Sequence, residues 1–134
     1  MTGTLHLTLM VALGSALGGM ARQGSRDLLA ILGFDMLALS TFLVNVAGSL
    51  LIGLLANMTA HGARLPLPEL HRQFLMSGFC GGLTTFSIFS ADTVHLYAEQ
   101  GPAVSFAYVA ATVTLSLLAC WAGLLMGKHR GTAT

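Results

Sequence analysis

One stretch of the chain combines aromatic and hydroxyl side chains at a spacing that suits contact with a small anion. Phe86 and Phe89 are three residues apart and therefore share one face of a helix. The positive edge of an aromatic ring can contact an anion without holding it tightly. A phenylalanine pair alone is typical of core packing, but here hydroxyl groups that can donate hydrogen bonds to an anion surround it. These hydroxyls belong to Thr84, Thr85, Ser87 and Ser90.

Glycines just before this stretch predict an interruption of the helix that carries it. Gly78, Gly81 and Gly82 lie in an apolar segment, and Thr84 and Thr85 can compete for backbone hydrogen bonds. Within a bilayer, non-helical backbone persists only where it is buried in protein or lines a wet cavity. The pattern therefore predicts a helix that breaks in the middle of this segment, next to an ion site.

A polar stripe is predicted on another apolar segment. Asn45, Ser49 and Gly53 are spaced four apart, which places them on one face of a helix. An asparagine deep in a bilayer must find hydrogen-bond partners. Two interpretations of Asn45 stay open: a hydrogen bond that joins helices, or an amide donor directed at an anion.

Tyr108, Thr112 and Ser116 form a further stripe of hydroxyl groups. Residues four apart drift by only about 40° around a helix of 3.6 residues per turn. Single hydroxyls in membrane helices usually bond to their own backbone, but three in register indicate a hydrated track. Arg22 lies at the end of an apolar segment, where it either snorkels to the interface or lines a positive vestibule that attracts anions.

The elements that must position these side chains are membrane-spanning helices. Of the 134 residues, 54% are hydrophobic and 8% are charged, with a mean hydropathy of +0.78, whereas soluble domains contain about 25% charged residues. Since a span needs about 20 mostly apolar residues, the sequence predicts one all-α membrane domain over residues 1–134. We expect its first span to be retained and not to act as a signal peptide, because no positive charge precedes it. The four predicted spans cover approximately residues 5–22, 36–58, 73–97 and 102–127.

Charged groups are scarce in these spans, and this limits the function. Asp92, His95 and Glu99 are expected in or near water at the far end of span three, so no acidic group is predicted centrally. Proton-coupled transporters generally need such a group. The net charge of +1 gives no reason to expect nucleic acid, and Cys80 and Cys120 have no metal-ligand spacing. An uncharged lining lets an ion leave as well as bind, so the sequence favours a small-anion pore and not an enzyme.

Three segments together resemble the Fluc (CrcB) family of fluoride channels. They are residues 78–90 (GFCGGLTTFSIFS), residues 44–49 (VNVAGS) and residues 18–22 (GGMAR). The resemblance covers all four spans, and the motif in span three is highly specific. Three positions depart from the usual family pattern: Ile88 stands where many members have threonine, Gln23 where an aromatic residue is frequent, and Ser40 where glycine is usual. Ile88 removes a hydroxyl near the expected path.

The resemblance implies an antiparallel homodimer with a broken third span and two fluoride pathways, which exports toxic fluoride passively across the bacterial inner membrane. It also implies a structural sodium ion at the dimer interface, bound by the backbone carbonyls of Gly81 and Thr84 from each subunit. Asn45 would be the amide donor, and Arg22 would lie near the vestibule. The other residues expected along the fluoride pathway are Thr85, Phe86, Ser87, Phe89, Tyr108, Thr112 and Ser116.

Basic residues in the loops give a weak orientation signal. Four are predicted on the side that holds both termini and two on the opposite side, which is a small positive-inside bias. Such a small bias allows insertion in both directions, which would permit an antiparallel dimer. The four are Arg64, Arg72, Lys128 and Arg130, and the two are Arg22 and Arg26.

Two other functions remain as alternatives. Small four-helix multidrug antiporters also form antiparallel dimers from a chain of this size, but they resemble each other in having a glutamate in the first span. Residues 5–22 contain no glutamate. A structural bundle without transport would use Asn45 and the hydroxyl stripe only for helix packing.

Overall fold

The computed structural model describes residues 2–34, 37–59 and 65–128, and within these ranges every regular element is a helix. Arg64 and Arg130, two of the basic residues used above for orientation, lie outside the described residues. The elements are α1 (Thr2–Ile31), α2 (Leu37–Met58), α3 (Glu69–Gln73), a π-helix (Phe74–Cys80), α4 (Gly81–Leu83), α5 (Ser87–Gln100) and α6 (Pro102–Gly127).

Four helical regions are long and apolar enough to cross a membrane. Gly3–Ile31 and Glu69–Gln100 reach a mean hydropathy of 1.4, and Ala38–Met58 and Pro102–Gly127 reach 2.0. Each contains at least the ~20 residues that a bilayer demands. The prediction of an all-helical protein with four spanning helices is therefore confirmed.

The first helix continues past its predicted end. The sequence predicts that the first span ends near residue 22, but α1 runs without a break to Ile31. Gln23 Nε2 donates to Asp27 Oδ1 at 2.8 Å, and such a pair at i and i+4 supports a continuous helix. The helix stops where Gly33 takes a φ of +83°. The N–H groups of Gly33 and Phe34 bond back to carbonyls of the last turn, as in a Schellman cap.

A sharp reversal places α6 beside α5. Gly101 has a φ of +88°, which glycine adopts without strain, and its N–H donates to the Tyr97 carbonyl at 3.1 Å. Pro102 follows as the first residue of α6, where its missing N–H costs nothing. Ser105 Oγ then donates to the Thr93 carbonyl at 2.8 Å, which ties the two helices together.

Glycines allow two pairs of helices to approach closely. A Cβ on Gly123 of α6 would meet the carbonyl oxygen of Leu50 on α2, and a Cβ on Gly127 would meet that of Leu54. Gly123 and Gly127, four residues apart, thus form a close-packing face on α6. On α1, Gly14 lies in the same way against the backbone of the π-helix.

The described part of the chain buries polar side chains and exposes apolar ones. Ser40, Thr41, Asp92, Ser105 and Thr112 are buried, whereas many large apolar side chains of α1 and α6 face outward. In water this distribution would be unfavourable, but lipid accepts apolar surface and excludes unpaired polar groups. The fold therefore suits a bilayer as its solvent.

Candidate anion pathway

The backbone leaves the helical conformation between α4 and α5. Thr84 is extended, with φ −77° and ψ 155°, and α5 begins only at Ser87. Gly81 and Gly82, the residues expected to weaken the helix most, are themselves helical. Gly82 serves a close approach, because a Cβ there would meet the carbonyl oxygen of Ser15. The departure from the helix begins at Thr84 and not at the glycine pair.

Asn45 of α2 pairs with the extended backbone. Its Nδ2 donates to the Thr85 carbonyl at 3.0 Å, and the Thr85 N–H donates to Asn45 Oδ1 at 2.7 Å. In a continuous helix that N–H would donate to the carbonyl of Gly81, so one side-chain amide replaces a helical bond. Of the two interpretations of Asn45, the hydrogen bond between helices is observed. Its role as a donor to an anion stays a prediction, for which Nδ2 carries a second N–H.

Two hydroxyls of the extended segment share a single hydrogen bond. Thr85 Oγ1 and Ser87 Oγ are 3.3 Å apart, and Thr85 Oγ1 also accepts from the Ile88 N–H at 3.3 Å. Since each hydroxyl carries one proton, a single shared bond leaves one proton for another acceptor. The hydroxyls of Thr84 and Ser90, by contrast, donate to carbonyls one turn earlier.

Three aromatic rings follow one another from the extended segment to α6. The ring centroids of Phe86 and Phe89 are 5.7 Å apart, and those of Phe89 and Tyr108 are 5.4 Å apart. The interplanar angles are 44° and 35°. Phe89 is buried, whereas Phe86 is 79% exposed in the single chain. The two phenylalanines share a face as predicted, and Tyr108 extends their row.

The hydroxyl stripe on α6 contains two kinds of group. Thr112 Oγ1 donates to the Tyr108 carbonyl at 2.7 Å, so its proton is used within the helix. The hydroxyl oxygens of Tyr108 and Ser116 are buried and have no hydrogen-bond partner among the described residues. A buried polar group without a partner is costly unless a ligand or water satisfies it. Tyr108 and Ser116 are therefore the two members of the stripe with a donor to spare.

Most of the predicted pathway residues line one groove of about 520 Å³. Tyr108 adjoins it through the ring of Phe89, while Ser87 and Arg22 are not part of its lining. The predicted residues that line the groove are Asn45, Gly81, Thr84, Thr85, Phe86, Phe89, Thr112 and Ser116.

Arg22 connects this groove with a second, smaller cavity. Its Nη1 donates to the Thr84 carbonyl at 3.3 Å, so the guanidinium reaches the extended segment. Arg22 also lines a cavity of about 40 Å³ between α1, α2 and α5, together with Arg26, Thr41 and Asp92. The remaining lining residues are Gln23, Ser40 and Ile88.

Asp92 was predicted in or near water, and that prediction is wrong. Its side chain is only 8% exposed, and its Oδ2 is buried without a hydrogen-bond partner in the described part of the chain. Phe89, Asp92 and Leu96 are the buried residues of α5, at a spacing of three and four that defines one helical face. In the sequence, the spacing of three residues between Phe89 and Asp92 is the pattern that would have predicted a buried Asp92. His95 and Glu99 are exposed and pair at 3.2 Å.

The chain also matches a known protein family. A family model described as CrcB-like protein, Camphor Resistance (CrcB), matches residues 9–124, which is most of the chain. The chain belongs to the CrcB family. The resemblance seen in the three sequence segments is therefore confirmed, and the multidrug antiporter alternative loses its support.

Several proteins that are similar to this chain are named fluoride-specific ion channel FluC. The fluoride-specific ion channel FluC of Paracoccus denitrificans is 44% identical over 125 residues, which cover 92% of this chain and 95% of that protein. The FluC of Azotobacter vinelandii is 40% identical over 124 residues, covering 92% and 98%. FluC 1 of Bradyrhizobium diazoefficiens is 39% identical over 122 residues, covering 89% and 82%. With its four apolar helices, the chain is a multi-pass protein of the bacterial plasma membrane.

The two carbonyls implied as sodium ligands differ in their surroundings. Gly81 is exposed, nothing lies within 4 Å of a Cβ placed on it, and its carbonyl has lost the Thr85 N–H to Asn45. The Thr84 carbonyl already accepts a hydrogen bond from Arg22, but a carbonyl oxygen has a second lone pair. Hard cations prefer oxygen ligands of this kind, so this pair of residues fits a sodium ion.

Proposed function

We propose that this protein is a fluoride channel, which lets fluoride leave the cell passively across the inner membrane and so lowers its toxicity. The observation that carries the proposal is the pair of buried, unpartnered hydroxyls of Tyr108 and Ser116 beside the groove. They offer hydrogen-bond donors, without a buried positive charge, to an ion that crosses a bilayer. Its relatives named fluoride-specific ion channels support the choice of fluoride.

The chemistry of the lining suits a small anion that must keep moving. Fluoride loses water on entering the groove, and hydroxyl and amide donors replace part of that hydration. The edges of Phe86 and Phe89 add a weak positive potential. Neutral donors bind the ion less tightly than a lysine or arginine would, and conduction requires that each site releases the ion. The roles of Asn45, Thr85 and Ser87 follow from the same donor chemistry.

The working unit that we propose is an antiparallel homodimer with two pathways. In one chain the groove lies at the surface, and Gly81, Phe86 and Ser87 beside it are exposed. Lipid cannot satisfy the polar groups of such a groove. A second copy would cover them and complete each pathway, and chains inserted in opposite directions would make both pathways equivalent.

We further propose that the third span is broken at mid-membrane and that a sodium ion holds the two breaks together. The extended Thr84 and the bond from Asn45 to Thr85 support the break. Carbonyl oxygens of Gly81 and Thr84 from each subunit would bind the ion, which would supply a fixed positive charge between the subunits. The chain's own contribution is the orientation of these carbonyls, which α4 and the Asn45 amide fix.

The test is ion efflux from liposomes that contain the purified protein. We expect voltage-driven fluoride efflux with little chloride efflux, and we expect Phe86→Ile to lower the fluoride flux without dissociating the assembly. Phe106→Ile is the matched control, because Phe106 is 75% exposed on α6 and does not line the groove. Equal fluoride and chloride fluxes, or no flux from the unmodified protein, would refute the proposal.

A further inference from the structure

The cavity between α1, α2 and α5 carries an unusual combination of charges. Arg22 and Arg26 line it from α1, and Asp92 lines it from α5. Two guanidinium groups and one carboxylate give its wall a net charge of +1. Ser40 and Thr41, both buried, complete the wall from α2.

The proposed fluoride pathway assigns no role to Asp92. It is more than nine-tenths buried, and its Oδ2 has no hydrogen-bond partner within the described residues. Burying a carboxylate is costly unless positive charge or donors compensate it. Arg22 and Arg26 line the same cavity and bring positive charge to its wall, and we refer to these two arginines and Asp92 as the charged unit.

This unit adjoins the groove at two points. Arg22 donates to the carbonyl of Thr84 at 3.3 Å, which is itself a lining residue. On the other side, Asp92 lies on the same buried face of α5 as Phe89, whose ring lines the groove and packs on Tyr108 at 5.4 Å. The charges on the cavity wall are therefore placed to act on an anion in the groove.

We propose that Asp92 is a tuning residue of the anion pathway, whose carboxylate offsets one arginine and so keeps this cavity from trapping fluoride. The proposal rests on the proposed fluoride conduction. Two arginines in a small cavity beside a bilayer attract anions strongly, and a pore that binds its ion too tightly stops conducting. With Asp92 on its wall, the cavity still attracts fluoride from solution but releases it into the groove.

The test measures fluoride current in planar bilayers as a function of fluoride concentration, at constant pH. In Asp92→Asn the wall loses its negative charge, so we expect the half-saturating fluoride concentration to fall by about tenfold or more. The maximal current should fall as well, because release becomes slow. Arg26→Gln should shift the half-saturating concentration in the opposite direction, and the double variant should return towards the unmodified value.

Controls separate this role from a structural one. Glu99→Gln removes a carboxylate from the same helix, where it is exposed, and should leave both parameters unchanged. A lower maximal current in Asp92→Asn with an unchanged half-saturating concentration would overturn the proposal, because loss of packing alone gives that result. If Asp92→Asn does not assemble, an unchanged half-saturating concentration in Arg26→Gln would overturn it equally. Absence of fluoride current in the unmodified protein would instead refute the proposed function.

Discussion

At the scale of single residues, one asparagine side chain decides how the third span is built. Asn45 uses both its amide oxygen and its amide nitrogen on the backbone of Thr85. The two bonds reproduce the donor and acceptor that a neighbouring peptide group would offer. The observed role of Asn45 is therefore to bind the backbone of Thr85. Any contact between Asn45 and an anion depends on the side-chain position that these two hydrogen bonds fix.

Asn45→Asp should strongly suppress fluoride flux. The change replaces the N–H donor with an oxygen that repels the Thr85 carbonyl, and it places a negative charge next to the path. If the lost donor and the added charge raise the barrier to the anion by about 1–3 kcal/mol, the flux falls roughly fivefold to hundredfold. Liposome efflux measures the flux, and size-exclusion chromatography shows whether the assembly survives.

Asn57→Asp provides the matched control for this change. Asn57 lies on the same helix and donates to the Leu124 carbonyl at 2.6 Å, away from the groove. The Asn57→Asp variant loses a comparable hydrogen bond, but its fluoride flux should stay unchanged. Similar flux losses in both variants would mean that Asn45 acts only through the stability of α2.

Tyr108→Phe should lower fluoride flux without lowering stability. The hydroxyl of Tyr108 is buried, and no described residue lies within hydrogen-bonding distance and geometry of it, so we expect its removal to cost little stability. We expect a melting temperature that is unchanged or slightly raised, measured in detergent, together with a reduced efflux. Tyr97→Phe removes an exposed hydroxyl and should change neither quantity. A clear loss of stability in Tyr108→Phe would show that the hydroxyl serves packing.

At the scale of elements, glycine fixes how closely α2 and α6 pack. A Cβ at position 123 would lie against the Leu50 carbonyl, which belongs to helix backbone and cannot rotate away. We expect Gly123→Ala to destabilise the protein by about 1–3 kcal/mol, detected as a lower melting temperature. Gly24→Ala, in α1 with nothing within 4 Å of its Cβ, should be neutral or stabilising by about 0.5–1 kcal/mol. Equal effects at both positions would contradict close packing as the cause.

The helical elements could be predicted because their cause is local. Runs of apolar residues of sufficient length specify the four spans, and glycine spacing specifies the packing faces. The end of α1 could not be placed in the same way, because the pair between Gln23 and Asp27 and the cap at Gly33 extend it through a polar stretch.

Most residues expected along the pathway do line the groove, but the hydrogen bonds among them could not be predicted from the sequence. The departure from the helix begins at Thr84 because Asn45, distant in sequence, captures the N–H of Thr85. The burial of Asp92 likewise depends on α1 and α2, which line its cavity and whose position relative to α5 cannot be derived from a local sequence pattern. Contacts between helices, and not helix propensity, decide both features.

At the scale of the whole molecule, one chain leaves its polar groove at the surface, which is the reason we expect two copies.

Depleting sodium by long dialysis against a larger organic cation should lower fluoride flux and loosen the assembly, if carbonyls of both subunits share the ion. Restoring sodium should recover both properties, whereas potassium tests selectivity for ion size. Full flux and an intact assembly after exhaustive depletion would remove the sodium site from the proposal.

The length of α1 has a consequence for the lipid. Its 30 residues measure about 45 Å, whereas the hydrocarbon layer is about 30 Å thick. Arg22 and Arg26 lie in the C-terminal turns of α1. The tilt of this helix therefore determines how deep both guanidinium groups lie in the bilayer. Because bilayers of different thickness impose different tilts, the acyl-chain length of the surrounding lipids would adjust the depth of these two arginines from outside the protein.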